Sequence, residues 1–440
     1  MTYIIRGKNQ AFGEVEVSGA KNFSIKALAA TLLCEDTVTL HNIPNNLDIK
    51  KTASMIISAG GEVEINSKNF TCKANSESIS GIVSDSSSAN MSTFLIGAAL
   101  IHKHDTIKFP KPNGCPLGAR KLDFHIEAFK KFGAECHELN GYFVINKQDS
   151  LKGCEVELNY PSVGATETAL FLGVKAKGTT IIKNAAIEPE IKALITALVS
   201  MGAKIHFTND RTIKIEGVEK LEGKDIFIHP DLIETATWAT LAAVTNGEIT
   251  VHNTIPEMIG SFLGVFTALG GGFERISPTS MKFFRKEKIN KPVFVETGTF
   301  PQLRTDLQPL IATLAATNNS HTIIHETVYN DRLEYISDFK DFGIKIEGLS
   351  ECLGSECRFS NKGIHSAIIS GPNEIRSPKN PIEAKTIRSG MSAIILAAKS
   401  EGITIITNTE VIERGYCNLF EKLKKLSIKI EKQELKKLSN

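Results

Sequence analysis

The chain has 440 residues, 42% of them hydrophobic and 23% charged, with 51 Lys and Arg against 49 Asp and Glu. That length exceeds what one core organises, so two or more domains are expected, and the composition is that of a folded globular protein rather than a disordered one. A net charge of +2 excludes the broad basic field of a nucleic-acid binder, and the longest apolar run, Phe94 to Ile101, falls well short of a membrane span.

The N-terminal stretch Met1-Thr2-Tyr3-Ile4-Ile5-Arg6-Gly7 lacks a long apolar segment, so a cytoplasmic location is expected. In that compartment the eight cysteines are expected as free thiols. Cys352 and Cys357 stand close, but no second Cys or His pair follows at zinc-ligand spacing, and no metal site is expected there.

In chain order one unit recurs six times: a helix of small and apolar residues, a Thr- and Ile-rich strand, a polar turn, a second helix, then a glycine and another strand. The first helices start near Ala20, Asn90, Gly164, Glu234, Thr305 and Ile387. The strands after them span 37–42, 106–110, 179–184, 248–253, 321–325 and 403–408. The second helices end at Gly60, Gly133, Gly202, Gly270 and Gly343, where a left-handed residue suits a helix end; the sixth copy has Leu426-Ser427 instead. First helices such as 241–244 and 311–316 lack a polar face and are expected to be buried. Six such units predict layered α/β structure in two domains of three copies, with the active site in the cleft between them.

Candidate chemistry sits at the joints of these units. Asn113-Gly114-Cys115-Pro116-Leu117-Gly118-Ala119-Arg120 cannot continue a helix or a central strand, so Cys115 is expected on a loop, accessible and near a cation that favours its thiolate. From the loop alone, chemistry and structure stand equally open. The helix starts Ser18-Gly19-Ala20-Lys21-Asn22 and Pro161-Ser162-Val163-Gly164 offer open amides to an anion, although Ser and Asn are also ordinary caps. Lys21 opposes the helix dipole and needs another reason to be there. Asp306, Asp231 and Glu234 precede or open apolar helices and read as caps. Arg332 and Arg414 lie at turns; with Lys21 and Arg120 they suit a small multivalent anion, and pairing with adjacent acids is the other reading. Lys422, Lys424 and Lys425 are expected on a solvated face.

These motifs, together with Asn184-Ala185-Ala186, Ile233-Glu234-Thr235, Thr305-Asp306-Leu307-Gln308, Glu326-Thr327-Val328 and Arg414-Gly415-Tyr416, run from end to end. In them the chain resembles the enolpyruvyl transferases, in their sugar-nucleotide branch. The resemblance implies the inside-out α/β barrel, two domains each of three pseudo-repeats with buried helices and outer mixed sheets. Residues 1–20 and 230–440 would form a discontinuous domain and 21–229 an inserted one with the Cys115 loop. It implies phosphoenolpyruvate and UDP-N-acetylglucosamine as substrates in the first committed step of peptidoglycan precursor synthesis. No cofactor, metal, nucleic acid or stable membrane association is implied.

Carried over residue by residue, Lys21, Arg120 and Arg414 would hold the phosphate and carboxylate of phosphoenolpyruvate, with Arg332 in support. Asp306 would take the proton of the attacking hydroxyl. Cys115 would donate a proton to the methylene carbon or become covalently bound. Arg120, Lys121, Leu122, Asp123 and Phe124, with Ser162, Val163 and Gly164, would hold the uridine and diphosphate. Asn22 would touch the sugar, and Asn90, Val328 and Arg388 complete the binding set. The chain departs from the family at Asn90, Tyr160 and Leu232, where cations are usual, and at Thr386, where an acid is usual. These departures leave open a paralogue with another acceptor, and a silent nucleotide-binding relative. The shikimate-pathway synthases share the fold but lack the cysteine loop.

Overall fold

Strands are set by alternation. Thr180 and Ile182 of Thr179–Lys183 are buried, as are Ile249 and Val251 of Glu248–His252, while their neighbours are not. This is the period of a sheet with one covered face. The computed structural model describes residues 1–66, 71–75, 79–112, 122–359 and 362–433. Among these residues the strands form six small sheets, five of four strands and one of three. Each four-stranded sheet combines one parallel and two antiparallel pairs, as where Thr179–Lys183 pairs in parallel with Glu155–Glu157 and antiparallel with Thr212–Glu216.

The chain's first strands belong with its last ones. Thr2–Arg6 lies between Ile403–Thr407 and Ile430–Gln433, and Phe12–Glu16 pairs in parallel with Glu248–His252. Asp225–Phe227 completes the sheet of Val38–His41 in the same way. Residues 1–18 and 230–433 form one compact unit, and 19–112 with 122–229 another. Each has its own hydrophobic core.

Those cores are built on the small-residue helices. Leu232–Thr245 is buried along its whole length, and Thr93–Leu100 likewise. In the first unit Leu232–Thr245, Gln308–Ala315 and Ile387–Lys399 pack on one another. Buried hydroxyls are satisfied inside the helix: Thr235, Thr237, Thr240 and Thr245 donate to the carbonyls four residues back at 3.3, 2.8, 2.8 and 2.7 Å. Such helices need no polar face.

An asparagine recurs where a strand leaves its sheet. Asn42, Asn184, Asn253 and Asn408 have φ of 54–58° or, for Asn253, 53°. Their side-chain amides donate to Ile228, Leu158, Val17 and Ala384 carbonyls at 2.9, 2.8, 2.7 and 3.1 Å. Asparagine tolerates the left-handed region and bonds locally there, so one residue turns the chain and ties it to the parallel edge strand. In the sixth copy Ser427, with φ 65°, takes the left-handed position that glycine holds in the others.

Two expectations are overturned. Cys352 and Cys357, expected as free thiols, are joined by a disulfide, because the loop turns and brings their Cα atoms to 5.6 Å. Lys422 does not lie on a solvated face. It reaches inward to Glu234 at 2.5 Å and to the Ser18 hydroxyl at 2.9 Å, while Lys424 and Lys425 stay exposed.

Candidate active site

The start of the helix Gln308–Ala315 carries a carboxylate between two buried guanidinium groups. Asp306 lies in the 3-10 turn Thr305–Leu307 and its side chain caps no helix. Instead Oδ1 accepts from Arg388 Nε at 3.1 Å and from Arg332 at 3.4 Å. Arg332 and Arg388 are 2% and 6% exposed, whereas the Asp306 side chain keeps 31% of its surface open. Burial alone would push its carboxyl up, but Arg388, Arg332 and Arg304 outweigh that and hold it well below the usual carboxylate range. The arrangement is an ionised, reachable carboxylate on a cationic bed.

Neighbours fix the bed. Arg332 Nε donates to the Thr305 carbonyl at 3.1 Å. Buried Glu326 accepts from the Val328 and Tyr329 amides at 2.8 and 3.2 Å and from the Thr305 hydroxyl at 3.1 Å. Burial pushes Glu326 up against the pull of Arg332. The Arg388 guanidinium lies 6.0 Å from the Tyr416 ring centre, and the Tyr416 hydroxyl meets Thr237 at 2.8 Å. Thus Arg332 is held by a carboxylate far away in sequence. Glu413, beside Arg414, accepts from Tyr3 at 2.5 Å and Lys432 at 2.9 Å.

The second unit places Lys21 at the first position of Lys21–Ala30, 3.3 Å from Asp48, with both side chains largely buried. Asp48 supplies the reason a lysine tolerates this helix start. One turn on, Lys26 pairs with Glu167 at 3.2 Å. Burial pushes the Glu167 carboxyl up to about 7, with Lys26 opposing. Gly19 is needed for close approach, since a Cβ there would stand 1.7 Å from the Asn42 carbonyl. Ser162 caps Val163–Gly173 through Ala165 N at 3.4 Å, and a Cβ on Gly164 would stand 2.9 Å from the His125 ring. His125 is buried, stacked on Phe94 at 4.4 Å and bonded to Thr168 at 2.7 Å. Burial lowers its pKa to about 4.

The family model for EPSP synthase (3-phosphoshikimate 1-carboxyvinyltransferase) matches residues 6–423. The chain belongs to this family of carboxyvinyltransferases. Relatives named UDP-N-acetylglucosamine 1-carboxyvinyltransferase include those of Protochlamydia amoebophila, 33% identical over 97% of this chain and 93% of the relative, and Chlamydia abortus, 35% identical over 95% of each. The solved enolpyruvyl transferase NikO from Streptomyces tendae is 20% identical and superposes with a TM-score of 0.85 over 98% of both chains. EPSP synthase from Acinetobacter baumannii, 18% identical, reaches 0.73 over 98% of this chain and all of that one. The fold is therefore the inside-out α/β barrel, and the chain is an enzyme of enolpyruvyl transfer.

Within this carboxyvinyltransferase the departures have local accounts. At Thr386 the usual acid is missing, but half-buried Glu334 lies 3.0 Å from the Thr386 hydroxyl. A carboxylate is thus kept beside residue 386 from another element. Asn90 spends its side chain on its own turn, accepting from Ser92 N and Oγ at 2.8 and 2.6 Å and donating to the Ser88 carbonyl at 3.3 Å. Leu232 is buried at the start of a helix that Asp231 caps through Ile233 and Glu234 amides at 2.8 and 3.2 Å.

Leu122 precedes the helix Asp123–Lys131, where Asp123 is exposed and Phe124 half-buried; Asn22 and Arg414 are half-buried too. Cys115, Arg120 and Lys121 lie outside the described residues. Sequence reasoning gave no role to Asp48, Glu326, Glu334, Lys26, Glu167 or His125. Only Glu326 carried a signal, its place in the quoted Glu326-Thr327-Val328 motif.

Proposed function

We propose that this enzyme transfers the enolpyruvyl group of phosphoenolpyruvate to the 3-hydroxyl of UDP-N-acetylglucosamine with release of phosphate, as its relatives' names indicate. The observation that supports it best is Asp306, ionised and reachable between Arg332 and Arg388. In the proposed path Cys115 gives a proton to the methylene carbon, and the acceptor hydroxyl attacks the adjacent carbon while Asp306 takes its proton. The tetrahedral adduct then loses phosphate together with one proton of its new methyl group, which leaves to a base or the departing phosphate, restoring the double bond. Lys21, Arg120 and Arg414, with Arg332 and Arg388, balance the substrate's charge through these steps.

The arginines also regulate the base. While they bond Asp306 its proton affinity is low, and a good general base needs a pKa nearer the working pH. Phosphoenolpyruvate, by drawing the same guanidinium groups to its own anionic oxygens, raises the affinity of Asp306 for a proton. The base is activated only when the donor substrate is present. Leu122, Asp123, Phe124, Ser162, Val163 and Gly164 serve the nucleotide, Asn22 the sugar, and Asn90 and Val328 the remaining contacts. The described helices include none long and apolar enough to cross a membrane.

A second reading keeps the chemistry and changes the acceptor. It draws on Asn90, whose side chain is engaged by Ser88 and Ser92, and on the lost cations at Tyr160 and Leu232. Each missing charged hydrogen bond is worth roughly 1.5 to 3 kcal/mol. The test is phosphate release from phosphoenolpyruvate with UDP-N-acetylglucosamine and a panel of other uridine nucleotides, beside Cys115→Ser. Cysteine-dependent turnover with UDP-N-acetylglucosamine is expected. Turnover only with another nucleotide would favour the second reading, and silence across the panel would refute both.

A further inference from the structure

The loop between Lys345–Leu349 and Ser366–Ser370 carries Cys352 and Cys357, and His365 stands directly before the second strand. Cys352 Sγ lies 3.2 Å from His365 Nε2, and the ligand atoms of all three residues fall within 4.8 Å of one another. In a tetrahedral zinc site two sulfurs stand about 3.8 Å apart, and sulfur and nitrogen about 3.6 Å.

The imidazole is built as a ligand. His365 is fully buried, set edge-on to Phe359, and its Nδ1 lies 3.0 Å from the Gly363 carbonyl. A carbonyl only accepts, so the proton belongs on Nδ1 and the lone pair of Nε2 faces the sulfur. Outer partners of this kind orient metal-binding histidines.

The sulfur–sulfur bond is not the loop's only fastening. Ser355 donates through its amide and hydroxyl to Glu296 at 2.7 and 2.6 Å. His325 Nε2 meets the Glu356 carbonyl at 3.0 Å, Arg358 donates to the Thr327 carbonyl at 2.9 Å, and Leu353 N to the Ser366 hydroxyl at 3.3 Å. Two sulfurs and one imidazole thus stand on a loop whose other contacts do not involve the disulfide.

We propose that, once the Cys352–Cys357 bond is reduced, Cys352, Cys357 and His365 bind one zinc ion. Two thiolates and an imidazole form the borderline-soft donor set that suits this metal. Reduction by a dithiol transfers two electrons and two protons to the pair, and the dithiol leaves as its own disulfide. Zinc then displaces one proton from each thiol, while the neutral imidazole releases none. Exposed Cys357 leaves the fourth position to water.

The test uses the full chain, reduced with a dithiol and freed of excess reductant without air. Zinc is titrated against a chromophoric chelator, and cobalt(II) reports thiolate ligation by its sulfur-to-metal charge-transfer band. One zinc per chain and that band are expected. Cys357→Ser should weaken binding by more than the roughly 10- to 100-fold that loss of an outer partner costs. This exposed position keeps the test clear of any folding defect that replacing buried His365 brings. A reduced chain that takes up no zinc, shows no charge-transfer band with cobalt, or binds zinc equally well as Cys357→Ser would overturn the proposal.

Discussion

Asp306 shows why a residue's chemistry depends on what surrounds it. By position it reads as a helix cap, yet two arginines from elsewhere in the chain hold it as an ionised carboxylate in the absence of substrate. Asp306→Asn is expected to lower phosphate release by roughly 10²- to 10⁴-fold. Phosphoenolpyruvate binding, measured by calorimetry, should persist or tighten because both guanidinium groups are freed; loss of binding would count against the cationic-bed role. Thr386 offers a second test. Thr386→Asp sets a carboxylate against Glu334, 3.0 Å away in the present contact, and is expected to cost roughly 1 to 3 kcal/mol in denaturant unfolding. Adding Glu334→Thr should recover most of that loss, whereas simple additivity would mean the two positions are not coupled. Asp306 was legible through the motif Thr305-Asp306-Leu307-Gln308 and Arg332 by its place at a turn, whereas Arg388 came only with the resemblance. Asp48 and Glu334 were not, since their partners Lys21 and Thr386 lie 27 and 52 residues away and only folding brings them together.

At the scale of elements the repeat was legible and its fastenings were not. Small-residue helices, Thr- and Ile-rich strands and glycine helix ends all leave periodic marks in sequence. The asparagine device also recurs, but its meaning needs the partner carbonyl, as in Asn253 to Val17. Asn253→Ala loses both the hydrogen bond and left-handed tolerance, and is expected to cost about 2 to 3 kcal/mol. Asn253→Gly keeps the backbone and should cost only about 1 kcal/mol. Equal losses in chemical denaturation would show that conformation plays no part. Ser427 points the other way: Ser427→Gly puts the residue of the other five copies at φ 65° and is expected to stabilise by about 0.5 to 1 kcal/mol. A drop in midpoint would contradict that.

For the whole molecule, the sequence carried the six-fold repeat because burying a small-residue helix under a sheet demands the same composition each time. The pairing of Thr2–Arg6 with the last strands had no local mark, because strand partners far apart in sequence leave no periodicity. The protein's pH behaviour follows in part from two histidines, His125 buried and His102 half-buried. Burial lowers His102 and His125 from 6.5 to about 4, so between those values the unfolded chain binds protons that the folded chain does not. The two histidines should therefore lower stability as pH drops from 6.5 towards 4, by roughly 3 kcal/mol each, while Glu167, raised to about 7, works in the opposite sense over much of that window. His125→Asn should flatten the unfolding profile in that window; an unchanged slope would refute the assignment. The central claim is the reaction itself. Mass spectrometry of UDP-N-acetylglucosamine incubated with phosphoenolpyruvate and enzyme tests it most directly. The account predicts an acceptor carrying one enolpyruvyl group and equimolar phosphate, both lost in Cys115→Ser and Asp306→Asn; unmodified acceptor with the intact enzyme would contradict it.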